Sequence, residues 1–183
     1  MSASPIPVHR GQGSQPVWDL FVRLFHWSLV SCVLLNYFVL EEGDPPHEWA
    51  GYIAAGLVMA RIVWGFVGSR HARFADFFPT PSRLRTHLAG LRAGAAPFHW
   101  GHNPLGALMM LLLMALVLSL GVTGWMQGLD AFWGEEWLEE LHELLANGLM
   151  LAAAIHAAAA LFMGRKERTR LIKAMVTGVK ERY

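Results

Sequence analysis

Residues 138–163 read LEELHELLANGLMLAAAIHAAAALFM. After an acidic start the stretch is almost wholly apolar and carries no lysine or arginine. About 20 such residues in helical form cross the hydrocarbon of a bilayer. His142 and His156 lie inside it, 14 residues apart, which separates them by roughly 21 Å along a helix axis. Fourteen residues is nearly four turns, so both imidazoles leave the same side of the helix. Ionisable side chains within a bilayer span are costly and mark function. A span with two such histidines on one side therefore predicts a membrane helix that faces a shared interior at two depths.

Three further stretches have the same character, at 17–40, 47–67 and 104–126. The 183-residue chain is 54% hydrophobic and 16% charged, with a mean hydropathy of +0.34; soluble domains carry about 25% charged residues. The expected fold is all-α, an integral membrane four-helix bundle occupying 17–163. A polar, proline-broken tail precedes it at 1–16, and a basic tail follows at 164–183, expected to leave the membrane as a helix. The first 16 residues lack the apolar core of a cleavable signal peptide, so the first span is expected to be retained. Cys32, the single cysteine, forms no internal disulfide, and no C-x-x-C-H motif is present for covalent haem attachment. Within the long link 68–103, Ser82 is the expected cap of a short helix on the membrane surface that carries Arg83, Arg85 and Arg92 together with Leu84, Leu88 and Leu91.

The charges divide by link. All 15 lysines and arginines fall near the start of span one, at or between the ends of spans two and three, or after span four. The links 41–46 and 127–137, with the span starts beside them, hold ten of the 14 acidic residues and no basic one. By the positive-inside tendency, both termini and the long loop are expected in the cytoplasm of a bacterial inner membrane, with the acidic links outside. Trp49, Trp125, Trp133 and Trp137 would then line the outer interface, and Trp18, Trp64 and Trp100 the inner one. Nothing in the pattern predicts a nucleic-acid partner; the expected surroundings are the lipid bilayer.

Four histidines fall at matched depths. His47 opens span two at the acidic side, beside His142. His26 lies about 14 residues inward from the end of span one, at the depth of His156. Two layers follow, His47 with His142 and His26 with His156. Each presents two imidazoles from different helices, the arrangement that grips a haem iron from both faces. Gly51 and Ala55 follow His47, and Ala146 and Ala160 follow the span-four histidines, at four-residue steps, with Ala153 between. They would leave room for a porphyrin edge, although small residues equally suit close packing of membrane helices. Arg61 lies 14 residues after His47, at the depth of His156, where a buried guanidinium needs an anion. A propionate of the inner haem fits that need, with Arg23 a second candidate. Asp19 is an alternative partner for Arg23, and either arginine can instead snorkel to the interface. His9, His71, His87, His99 and His102 fall in the tail or long loop and are expected to be solvated or interfacial. His99 and His102, flanking Trp100, are placed to meet a quinone headgroup.

The stretches RLFHW around His26, HEWAGY from His47, RIVWGFVGSRHARFADF from Arg61, GHNPLGA before span three, and LHELLAN with IHAAA on span four resemble the bacterial cytochrome b561 family, which includes the membrane cytochrome b of nickel–iron hydrogenases. The resemblance covers nearly everything after residue 17. It implies a four-helix core, two non-covalent haem b (heme) groups ligated by His26 with His156 and His47 with His142, and electron transfer linked to quinone. Hydrogenase-type members often carry extra sequence that this chain lacks.

An iron held by two histidines has no open position and favours one-electron transfer. The expected role is electron passage between membrane quinone and a periplasmic redox protein such as a c-type cytochrome, drawn to the acidic face. Alternatives are a superoxide:quinone oxidoreductase, a membrane anchor or electron-transfer subunit of a hydrogenase or dehydrogenase, and a haem-free helical scaffold or transporter. The first is weakened because no cation lies in the outward links to attract superoxide.

Overall fold

The structure, a computed structural model, describes residues 13–94 and 98–182. Residues 1–12, with His9 and Arg10, lie outside the described residues. A short strand β1 (Ser14–Pro16) leads into α1 (Leu20–Phe38), followed by α2 (Pro45–Val67), a 3-10 turn at Arg70–Ala72, and α3 (Phe74–Phe77). The chain continues through α4 (Pro81–Arg92), α5 (Pro104–Gln127), α6 (Glu136–Lys166), α7 (Leu171–Thr177) and β2 (Val179–Glu181). Helices α1, α2, α5 and α6 are long and apolar enough to cross a membrane. They match the four expected spans to within a few residues at each end. Their outer faces expose large apolar side chains such as Leu24, Phe38, Phe66, Leu144 and Phe162. Water disfavours such a surface, and lipid suits it.

The helix starts follow from local chemistry. Asp19 caps α1 by accepting from Val22 N at 2.8 Å. Asn103 caps α5 by accepting from Gly106 N at 2.7 Å, with Pro104 in the first turn. Acidic Glu136 and Glu139 open α6 and basic Arg165 and Lys166 close it, both in the sense that the helix dipole favours. Thr80, rather than Ser82, caps α4, accepting from Arg83 N at 3.3 Å. Pro81 occupies the first helical position, which moves the start two residues earlier than expected.

α1 packs on α2, α2 on α5, and α5 on α6. No comparable packing joins α6 to α1 or α2, so a gap remains between α6 and the α1–α2 pair. A hydrogen bond from Tyr37 Oη to Asn147 Oδ1, at 2.7 Å, crosses it. The core (Phe25, Ala54, Val58, Met114, Val117 and Leu149) lies in the middle of the bundle. Leu149 is seven residues from both His142 and His156, so this apolar layer separates the two histidine levels.

The basic end is closed by the segments that carry β1 and β2. The tail does not leave as a helix. It turns back at Thr169, whose N–H donates to Gly164 O at 2.9 Å, and β2 pairs antiparallel with β1, Gln15 opposite Lys180. Gly178 makes the turn with φ of +84°. A Cβ there would approach Trp18 O to 2.7 Å, so no other residue suits the position.

Candidate haem sites

At the acidic end, α2 carries His47 and α6 carries His142. Their ring centroids are 6.4 Å apart with planes 54° from parallel. Toward the basic end, α1 carries His26 and α6 carries His156, with centroids 6.5 Å apart and planes at 50°. All four rings are half-buried. Two imidazoles bound to one metal at about 2.0 Å each place their ring centroids roughly 6.3 Å apart. Both pairs therefore stand at the separation that a shared iron requires. They face each other across the unpacked side of the bundle, where α6 stands off from α1 and α2.

The acidic-end pair lines a cavity of about 1140 Å³, slightly above the usual range of ~300–1,000 Å³ for small-molecule and cofactor sites. Gly51 and Ala146 line it, as does Asn36. A Cβ on Gly51 would meet only Asn36 Nδ2, at 3.7 Å. Ala55 is not in the lining; it packs on α5, where a Cβ on Gly121 would come within 2.9 Å of it. Gly124 also lines the cavity, and a Cβ there would press to 3.3 Å from His142 Cε1. Thr123 Oγ1 lies 2.8 Å from His142 Nδ1. By contrast, His26 Nδ1 and His47 Nδ1 are buried without a hydrogen-bond partner in the protein.

Near the second pair, Arg61 is 1% exposed and does not snorkel. Its Nη2 donates to Ala72 O at 2.9 Å, and the guanidinium lies over the Phe74 ring, 5.5 Å from its centroid. Nη1 is buried without a partner. Arg23 does not pair with Asp19. Its Nη1 donates to Val176 O at 2.8 Å, while its buried Nε has no partner. Asp19 is occupied instead by Val22 N, Trp64 Nε1 and Ser69 Oγ. His102 is held edge-on by Trp18, with centroids 4.7 Å apart, and tilted against Phe77 at 5.0 Å. Its Nδ1 is buried and unpartnered. Enclosure, with the Arg61 charge beside it, pushes the His102 pKa down to about 3, so the ring is neutral near pH 7. The sequence reading missed Thr123, Asn36, Gly121 and Gly124 as site residues.

His87 is also not solvated, and His99 is half-buried beside it. His87 is 1% exposed, and its ring lies 5.6 Å from that of His99. Lys180 Nζ donates to His99 O at 2.6 Å and pairs with Glu167 at 3.4 Å. Burial lowers the pKa of both imidazoles from 6.5. For His87, Glu167 opposes this and Lys166 adds to it. For His99, the charge that His87 gains on protonation and those of Lys180 and Arg83 add to it, and Glu167 opposes it. A depressed folded-state pKa gives stability that is whole above 6.5 and is lost as pH falls below it. Amide-exchange protection factors in β1, β2 and α4 are therefore expected to be lower at pH 5 than at pH 7.5. Equal protection at the two pH values would contradict the assignment.

Four helices long and apolar enough to cross a membrane, with two facing imidazole pairs between them, fit a multi-pass membrane b-type cytochrome. The chain belongs to the prokaryotic cytochrome b561 family, whose model matches residues 17–178. It is 26% identical to a probable Ni/Fe-hydrogenase B-type cytochrome subunit of Rhodobacter capsulatus, over 92% of this chain and 82% of that protein. It is 28% identical to cytochrome b562 of Cereibacter sphaeroides, over 88% and 96% of the two chains. A further probable Ni/Fe-hydrogenase B-type cytochrome subunit, from Azotobacter vinelandii, is 25% identical over 72% of this chain and 67% of that protein. No solved structure matches the chain. Membership makes the protein a haem b-containing component of membrane electron transport.

Proposed function

We propose that the chain holds two haem b groups, one between His47 and His142 and one between His26 and His156, and passes electrons between membrane quinone and a periplasmic redox protein. The observation that carries this reading is the pair of facing imidazole couples, each at the spacing of a doubly ligated metal. A haem whose two axial positions are filled by imidazole supplies one-electron transfer and leaves no position for bond-making. The protein's part is to orient the imidazoles, exclude water with the apolar layer between the levels, and supply charge. Near the His26–His156 pair, Arg61 Nη1, Arg23 Nε and His102 Nδ1 are buried nitrogens without partners. They suit propionate carboxylates, since buried polar groups are otherwise satisfied.

The acidic end is proposed to face the periplasm of a bacterial inner membrane, with both termini cytoplasmic, because the basic residues gather at the opposite end. Exposed Glu135, Glu136, Glu139 and Glu140 then present a negative surface to a cationic partner such as the basic edge of a c-type cytochrome. Electrostatic steering raises encounter rates about tenfold or more at low salt. Reduced protein mixed with oxidised cytochrome c is expected to react at a rate that falls steeply with ionic strength, and replacing these four glutamates by glutamine should flatten the dependence. A rate indifferent to salt, or faster reaction with superoxide than with cytochrome c, would contradict it.

The relatives named as hydrogenase cytochrome subunits support a second reading, in which the electron partner is a stably bound dehydrogenase or hydrogenase. Copurification of a large hydrophilic subunit in mild detergent separates it from the first.

A further inference from the structure

His142 differs from the other three internal histidines. Among the described residues, Thr123 is the one that hydrogen bonds to any of the four rings, through Oγ1 at 2.8 Å from His142 Nδ1. Thr123 lies on α5, is 6% exposed, and its hydroxyl also reaches Ser119 O at 3.0 Å and Leu120 O at 3.3 Å. A hydroxyl has one proton and two lone pairs, whereas a carbonyl only accepts. With the proton donated to the helix backbone, Oγ1 can meet His142 only as an acceptor. The proton of the neutral imidazole then sits on Nδ1, and the lone pair sits on Nε2.

We propose that Thr123 is a positioning residue that fixes His142 in the Nδ1–H tautomer and sets the strength of its Nε2 as a ligand. The proposal rests on the reading of His142 as an axial ligand. α5 itself carries no ligand in that reading, so Thr123 gives this largely apolar helix a specific part in the site. Gly124 adjoins it, and the absence of a side chain there lets the His142 ring lie against α5. A hydrogen bond from the distal ring nitrogen to an acceptor raises ligand basicity and favours the more highly charged metal. Thr123 therefore holds the potential of the haem at the acidic end below the value it would have with an unbonded imidazole. His47 Nδ1 and His26 Nδ1 have no such partner, so the effect is confined to one of the two haems.

The test is a spectroscopic redox titration of purified wild type, Thr123→Val and Thr123→Ser, each with haem quantitation. Valine keeps the branched shape and removes the acceptor, whereas serine keeps the hydroxyl. Thr123→Val is expected to move one of two one-electron waves to higher potential, by about tenfold in the ferric-to-ferrous preference, or ~59 mV. The other wave stays, and Thr123→Ser returns the first to the wild-type position. Two haems with both waves unmoved in Thr123→Val, a Thr123→Ser shift equal to that of valine, or equal shifts of both waves would overturn the role of Thr123 alone. Wild-type protein without two haems would overturn the ligand reading and this proposal with it.

Discussion

Replacing His156 by alanine is expected to remove half of the bound haem and leave the other half with unchanged spectral and redox properties; His142→Ala should remove the opposite half. The expectation follows from the layering of the bundle. His142 and His156 share α6 but pair with different helices, and Leu149 and the rest of the apolar core lie between their levels. Loss of one ligand therefore perturbs one level. An axial imidazole is the main covalent hold on a haem that has no thioether link, so the effect should be near total at the affected site. Haem quantitation against protein mass, with the difference spectrum of each variant, checks it. Full haem content in both variants would show that the ligands are wrongly assigned.

Arg61→Leu is expected to weaken binding of the haem proposed between His26 and His156 and to lower its potential, with the other proposed haem unaffected. The substitution removes a positive charge that is 1% exposed and that already spends one nitrogen on Ala72 O. A charge-assisted hydrogen bond to a carboxylate contributes about 1.5–3 kcal/mol, so affinity should fall roughly tenfold to a hundredfold. Lysine is not a sufficient replacement, because its single ammonium cannot serve the Ala72 carbonyl and an anion in the guanidinium's planar geometry. Haem retention during detergent dilution and the midpoint potential of that haem are the readouts. Unchanged values for both would remove Arg61 from the propionate role.

The paired histidines were legible because helical rise converts sequence separation into depth, and the spans are long enough for that conversion to hold. The depth of Arg61 was readable for the same reason. Its partner was not, because Ala72 comes from a turn whose path no periodicity reports. Thr123 was invisible because a threonine in an apolar span commonly bonds back to its own helix, as this one also does. His102 reads as a loop residue in GHNP, and only the return of Trp18 and Phe77 over it makes it part of the interior. The pairing of β1 with β2 joins three-residue segments from opposite ends of the chain. Segments that short carry too little pattern to announce a sheet. The cap of α4 was within reach, since Pro81 marks a first turn and points to Thr80 as the residue before it.

The most direct measurement is the molar ratio of haem b to polypeptide in the purified membrane protein, taken together with its oxidised low-spin resonance spectrum. Two haems per chain, both low-spin with two nitrogenous axial ligands, are predicted. One haem per chain, none, or a high-spin centre with an open axial position would contradict the account.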